Sequence, residues 1–405
     1  VTPDYDLVLG LVGDRRAPVE RLPCLFVHSA QCIKKPGRNK LDRRSSKVRM
    51  NMPTLQTKED PMKKSLLLVA LAVLCLPAFL SAGGQKAAEV KQVVLYTALE
   101  EDETADYLAL AKAEMPDLDI KWVRYSTGEV MAKLIAEKDN PQADVIYGTA
   151  VTELARVKDL FVPYKPKDFD KIGKEFKDPA GYWTAIDMYV AAFCVNKDRL
   201  AKKDLPMPES WADLTKPVYK GEVIMPNPAS SGTGYLQVTS LLFMNGIKEG
   251  REDGWDFLKK LHENIVEYTN SGSAPAKLAS SGEVAVGISF SYRVAKQIAD
   301  GFPVQMIFPA EGSGYELEAN ALIKGAKHLA SAKRFLDWAI SENAMKAYFK
   351  YKGVVTRTGV TAESTLPLPR LEEMKLTPMD FAWSAANKTA LVEKWSSLFQ
   401  EKVQK

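Results

Sequence analysis

From Lys91 onward, extended apolar runs alternate with helically spaced segments over short connections, and this alternation fixes what the chain can fold into. Lys91–Tyr96 (KQVVLY) reads as a buried strand and Glu100–Glu114 as a helix with acidic residues in its first turn. Asp119–Val123 reads as a second strand, and Glu129–Lys138 as a helix burying Val130, Leu134 and Ile135. Ala143–Tyr147 reads as a third strand. Strand–helix–strand units of this kind close as right-handed crossovers onto a parallel sheet. A second series follows: strand 222–225, helices 236–244 and 255–261, strand 267–269, helix 274–280, strand 284–290 and helix 292–300. The tail reads as three helices, 328–341, 343–350 and 391–403. Ala185–Val195 is longer than a strand of one lobe needs, so it and Pro303–Phe308 are expected to cross between two α/β lobes. The division expected is 88–186 with 309–405, including the C-terminal helices, for lobe 1 and 187–308 for lobe 2.

The residues before this pattern are of a different kind. Residues 1–61 are rich in Arg, Lys and Pro without sustained periodicity, and read as a non-native upstream leader. Met62-Lys63-Lys64, the apolar run 66–80 and the small residues Ser81-Ala82-Gly83-Gly84 have the three parts of a secretory signal peptide, placed at 62–83. The run is shorter than the roughly 18 apolar residues a membrane span takes. Cys75 follows Leu74 rather than a small residue, so a soluble periplasmic protein is expected rather than a lipoprotein. Residues 1–64 hold 14 Lys+Arg and 7 Asp+Glu, leaving 41 and 44 of the chain's 55 and 51. The mature chain is therefore slightly acidic, which removes the electrostatic case for nucleic acid. Of four cysteines only Cys194 lies beyond the signal, amid Ala192, Phe193 and Val195, and reads as a buried thiol with no disulfide partner.

Four hydroxyl- or glycine-bearing turns precede predicted helices: Tyr96-Thr97-Ala98, Ser126-Thr127-Gly128, Ser230-Ser231-Gly232-Thr233-Gly234 and Ser271-Gly272-Ser273. Ordinary N-capping accounts for any one of them. Four, spread over both halves of an exported chain, point to a cleft that closes on a phosphate-like anion, because helix N-termini offer free N–H groups and partial positive charge.

These turns, together with Glu137-Lys138-Asp139-Asn140-Pro141-Gln142-Ala143-Asp144-Val145, Met225-Pro226-Asn227-Pro228-Ala229 and Gly287-Ile288-Ser289-Phe290-Ser291-Tyr292-Arg293, resemble periplasmic solute-binding proteins of ABC importers. They are most similar to the 2-aminoethylphosphonate-binding branch of the iron(III)-binding-like superfamily, over about residues 90–355. The resemblance implies a type II, Venus-flytrap binding protein. It implies capture of a small anionic solute, 2-aminoethylphosphonate, for delivery to a permease with its ATPase. The alternatives are a hexose phosphate or Fe(III).

Iron-binding members hold the metal with adjacent tyrosines. Here the matching place reads Ser291-Tyr292-Arg293, and a fixed guanidinium repels Fe(III), so no metal and no cofactor are expected. Arg293 is instead expected to clamp the phosphonate bidentately beside Tyr292. Thr97, Ser126 and Thr127 would donate from the first lobe, and Ser231, Gly232, Thr233, Ser271 and Ser273 from the second. For the amine, Asp187 is the first candidate, since a lone carboxylate between Ile186 and Met188 is costly against a core. Glu100 and Glu318 are further candidates. Tyr96, Tyr147, Tyr189, Tyr235 and Tyr292 could supply aromatic walls. Tyr125 stands where the branch carries an acid. The chain has no Ser/His/Asp set, nucleophile elbow, metal cluster or Walker motif, so a monomeric binding protein is expected rather than a phosphatase or phosphonate hydrolase. A sensory module remains the third class.

Overall fold

A computed structural model of the chain describes residues 91–405, so the expected leader and signal peptide lie outside the described residues. The first lobe opens with β1 (Lys91–Thr97), α1 (Glu101–Glu114), β2 (Leu118–Arg124), α2 (Thr127–Ala136), β3 (Val145–Ala150), α3 (Val151–Arg156) and β4 (Phe161–Val162). The long β5 (Thr184–Asn196) leads through α4 (Lys197–Lys203) to β6 (Val223–Pro226), α5 (Gly232–Met244), α6 (Asp253–Asn264) and β7 (Ile265–Thr269). Then come α7 (Ala274–Ser280), β8 (Val286–Phe290), α8 (Ser291–Ala299) and β9 (Val304–Ile307). The chain finishes with β10 (Tyr315–Ile323), α9 (Leu329–Ala339), α10 (Glu342–Lys352) and α11 (Phe381–Phe399).

The strands form one curled sheet in the order β2-β1-β3-β10-β5-β8-β6-β7, with β4 on β10 and β9 on β5. The expected parallel pairs are present: β1 pairs with β2 and β3, and β6 with β7 and β8. Between them stands β10, antiparallel to both β3 and β5, which the sequence pattern does not predict. Its alternation puts Glu316, Glu318 and Asn320 in the interior, so the apolar signature of a buried strand is missing.

β5 serves both lobes. Its first half, Thr184–Val190, pairs with β10, and its second, Ala191–Asn196, with β8 and β9. All thirteen of its residues are buried. Two cores lie either side of it. The first gathers Val93, Leu95, Tyr107, Tyr147 and Phe335, and the second Phe193, Trp211, Leu241 and Trp255. The C-terminal helix departs from expectation. It begins at Phe381 and carries Leu391, Trp395 and Phe399 into the second core, while Lys388 pairs with buried Glu153 of α3. Its apolar residues therefore belong with lobe 2, and the tail returns across the hinge rather than staying on lobe 1. Cys194 is buried, its thiol pushed up to about 11 by desolvation.

Glu316 gives this interior a measurable pH signature. Burial raises its carboxyl to about 7, against hydrogen bonds from the Thr152 hydroxyl (2.5 Å) and the Leu317 N–H (2.9 Å). A raised carboxyl means that the folded chain holds a proton which the unfolded chain has already lost above its ordinary range. Its contribution is present at low pH and is lost as pH rises towards 7. Glu316→Gln should remove up to about 1.4 kcal/mol per pH unit of that slope between pH 5 and 7, read from urea midpoints against wild type. Parallel slopes in the two proteins would contradict the assignment.

Candidate functional site

The carboxyl ends of β1 and β2 and the turn after β6 bring two helix starts face to face. At the start of α2, the Ser126 N–H and hydroxyl both donate to Glu129, at 2.9 and 2.8 Å. At the start of α5, the Ser231 hydroxyl accepts from Gly234 N–H at 3.2 Å. The lobes touch here directly, with Gly128 N–H donating to Ser230 C=O at 2.9 Å. A Cβ at Gly128 would lie 2.7 Å from the Ala229 carbonyl oxygen, and one at Gly232 would lie 2.9 Å from the Thr127 hydroxyl. Only glycine lets the two starts approach this closely.

Beneath this contact lies a cavity of about 40 Å³, room for a few water molecules. Ser126, Thr127, Ser231, Gly232, Thr233 and Arg124 line it. Glu100, Glu103 and Glu318 line it too, and Tyr189 and Phe290 form an aromatic wall, packed edge to face at 5.5 Å. The charges are ordered. Arg124 donates to Glu100 at 2.9 Å and to Leu99 C=O at 3.3 Å. Lys352, buried in α10, sits 2.9 Å from Glu103 and 2.8 Å from Glu318. Burial raises the Glu103 carboxyl to about 7 although Lys352 opposes the shift.

Of the expected ligand residues, Ser126, Thr127, Ser231, Gly232, Thr233, Glu100 and Glu318 line this cavity. The others do not. Thr97 is buried with its hydroxyl accepting from Leu99 N–H at 3.1 Å, a turn-forming role. Ser271 and Ser273 bond each other at 3.1 Å, leaving only the intervening Gly272 on the cavity. Tyr292 is fully buried in the hinge packing with Tyr189, Leu236 and Phe290. Tyr125 packs edge-on against Tyr96, ring centroids 5.7 Å apart.

Two expectations need correction. Arg293 is not an open clamp: its guanidinium crosses from lobe 2 to Glu100 (2.8 Å) and Asp102 (3.2 Å) of lobe 1 and is nearly buried. Burial alone would raise the Asp102 carboxyl, but Arg293 outweighs it and holds the group below its ordinary value. Asp187 does not reach the cleft. It is fully buried behind Glu318, its register partner on β10, and its carboxyl is pushed well above the usual range by desolvation and by Glu318. Two residues that the sequence reading passed over, Arg124 and Glu103, take their place. Arg124 could have been found, since it directly follows the predicted strand Asp119–Val123, and ligands bind at the carboxyl ends of such strands.

A cleft between two α/β lobes, shut over a cavity lined from both sides, defines a solute-binding protein. The chain belongs to the bacterial extracellular solute-binding protein family, which it matches over residues 140–383. An uncharacterized protein of Haemophilus influenzae is 34% identical over 344 residues, 82% of this chain and 98% of that one. A probable ABC transporter periplasmic-binding protein, y4fP of Sinorhizobium fredii, is 32% identical over 57% of this chain and 64% of its own length. Among solved structures, the periplasmic binding protein AfuA of Actinobacillus pleuropneumoniae, with fructose-6-phosphate bound, is 32% identical at a TM-score of 0.71. That match covers 76% of this chain and 98% of AfuA. No helix among the described residues is long and apolar enough to cross a membrane.

The interlobe contact makes its own prediction. Gly128→Ala should lower solute affinity at least about ten-fold, since its methyl meets backbone on the opposite lobe. The melting temperature of the ligand-free protein should stay within about 2 °C of wild type. Unchanged affinity would mean that the solute is held without this contact.

Proposed function

We propose that the chain is the solute-capturing component of an ABC importer. It works in the periplasm as a monomer, closing on a small phosphonate or phosphate monoester and delivering it to the permease and its ATPase. One observation carries the reading: the α2 and α5 starts converge from opposite lobes on a cavity that Arg124 also lines. Helix starts bind such anions through N–H groups and partial charge, and a guanidinium adds charge-assisted bonds of about 1.5–3 kcal/mol each. Both y4fP and AfuA are named as periplasmic binding proteins, which supports capture rather than hydrolysis.

Within that class the first reading is 2-aminoethylphosphonate. The cavity is small and three carboxylates line it, Glu100, Glu103 and Glu318, the last taking the role that Asp187 was expected to fill. The second reading is a hexose phosphate, supported by the fructose-6-phosphate in AfuA and by carboxylates that can accept sugar hydroxyls. Fe(III) fits less well. Tyr292 is committed to the hinge, and the cavity carboxylates are each held by an arginine or lysine.

The test is calorimetric titration of the protein, unfolded and refolded to strip carried-over solute, with 2-aminoethylphosphonate, glucose 6-phosphate and inorganic phosphate. At least one organic ligand should bind at micromolar affinity or better, and Arg124→Ala should weaken it at least about 30-fold. Binding of none, or indifference to Arg124→Ala, would overturn the proposal.

A further inference from the structure

Around the cavity carboxylates Glu103 and Glu318 lies a charge imbalance that the head-group contacts do not use. Glu103 from α1, Asp187 from β5 and Glu318 from β10 surround one ammonium, that of Lys352 from α10. Glu103 is satisfied: Oε1 accepts from Glu100 N–H (2.9 Å) and Oε2 from the Tyr107 hydroxyl (3.2 Å), with Lys352 against both oxygens. Asp187 is not, since neither of its oxygens meets a donor and the residue is wholly buried. The remaining neighbours add no positive charge. Tyr292 of α8 lies under Lys352, 4.7 Å from its ring centroid, and the phenols of Tyr147 and Tyr348 are paired with each other at 3.1 Å. Arg293 is engaged by Glu100 and Asp102.

Three carboxylates against one lysine leave two negative charges in a dry interior, which desolvation does not tolerate. An anionic Asp187 without a donor is the costliest of them. As an acid it has an acceptor in Glu318, and the pair then shares one proton between two carboxyls.

Resting on the phosphonate or phosphate ester reading above, we infer that this cluster reads the tail of the solute by exchanging a proton for a cation. An ammonium entering beside Glu318 supplies the missing positive charge, its field lowers the proton affinity of the Asp187–Glu318–Glu103 group, and the shared proton leaves for solvent. A neutral tail leaves the proton in place. A carboxylate tail adds a further negative charge and is rejected. The solute class is thus a zwitterion: a phosphonate or phosphate monoester bearing a primary amine.

The experiment is titration of the intact protein at pH 7 in buffers of different ionisation enthalpy, none of them phosphate. The ligands are 2-aminoethylphosphonate, phosphoethanolamine, ethylphosphonate and glucose 6-phosphate. Both zwitterions should release roughly one half to one proton per ligand bound, and Asp187→Asn should cut that release by at least half. Glu103→Gln, checked for folding by circular dichroism, is the second variant should Asp187→Asn not fold. A proton belonging to the phosphonate head is common to wild type and variants, so the difference belongs to the cluster. Zwitterion binding without release, release unchanged in the folded variants, or binding of the amine-free ligands alone would overturn the inference and leave the head-group reading standing. Failure of every phosphorylated ligand would overturn the head-group reading itself.

Discussion

One carboxylate, Glu100, joins the two sides of the cleft. It stands at the N-terminal boundary of α1, accepts from Arg124 of its own lobe at 2.9 Å and from Arg293 of the other at 2.8 Å, and has Lys277 at 3.8 Å. Because Arg293 stands on the other lobe, any separation of the lobes would part it from Glu100. Ion pairs exposed to solvent contribute little, but this one is largely buried when the lobes meet. Its worth therefore depends on the exclusion of water that closure itself provides. The Gly128–Ser230 contact adds a backbone bond to the same seam. Together they hold the seam where the lobes meet, and a ligand that touches both lobes favours the same arrangement.

The cavity wall mixes donors and acceptors: hydroxyls, helix starts and Arg124 share it with Glu100, Glu103 and Glu318. Specificity in such a site is a difference between affinities, set as much by the groups that a wrong ligand leaves unpaired as by those a right one satisfies. Tyr189 and Phe290 add an aromatic wall to this polar lining.

Much of this was legible in the residues. The turns at 126–128 and 230–234 stand out because hydroxyls and glycines cluster ahead of apolar helical spacing, and they line the cavity. β5 stands out by its length. What could not be read followed from long-range pairing. β10 hides because its interior residues are polar: Glu318 lines the cavity, while Glu316 accepts from Thr152 and Asn320 from Gly148 N–H. Arg293 belongs to a segment that carries the family resemblance, yet its partners lie some 190 residues away at the start of α1, and no local pattern announces them. Asp187 was rightly singled out as a charge with nowhere ordinary to go. The error was to suppose that such a charge must face water or ligand, when a shared proton allows it to stay inside.

That last point explains why the polar interior and the hinge coincide. Asp187 lies on β5 and Glu318 on β10, the two strands that meet where the lobes join, and their Cα atoms are register partners there. A hinge packed only with apolar side chains would fill its space to native density and report nothing of what enters the cleft. A hinge holding two carboxyls and one lysine has a charge state that depends on the cavity in front of it. Closure, ligand charge and protonation thus act on the same few residues. The family scaffold explains where the cleft is, but the ionisation of its floor is set by this chain's own side chains.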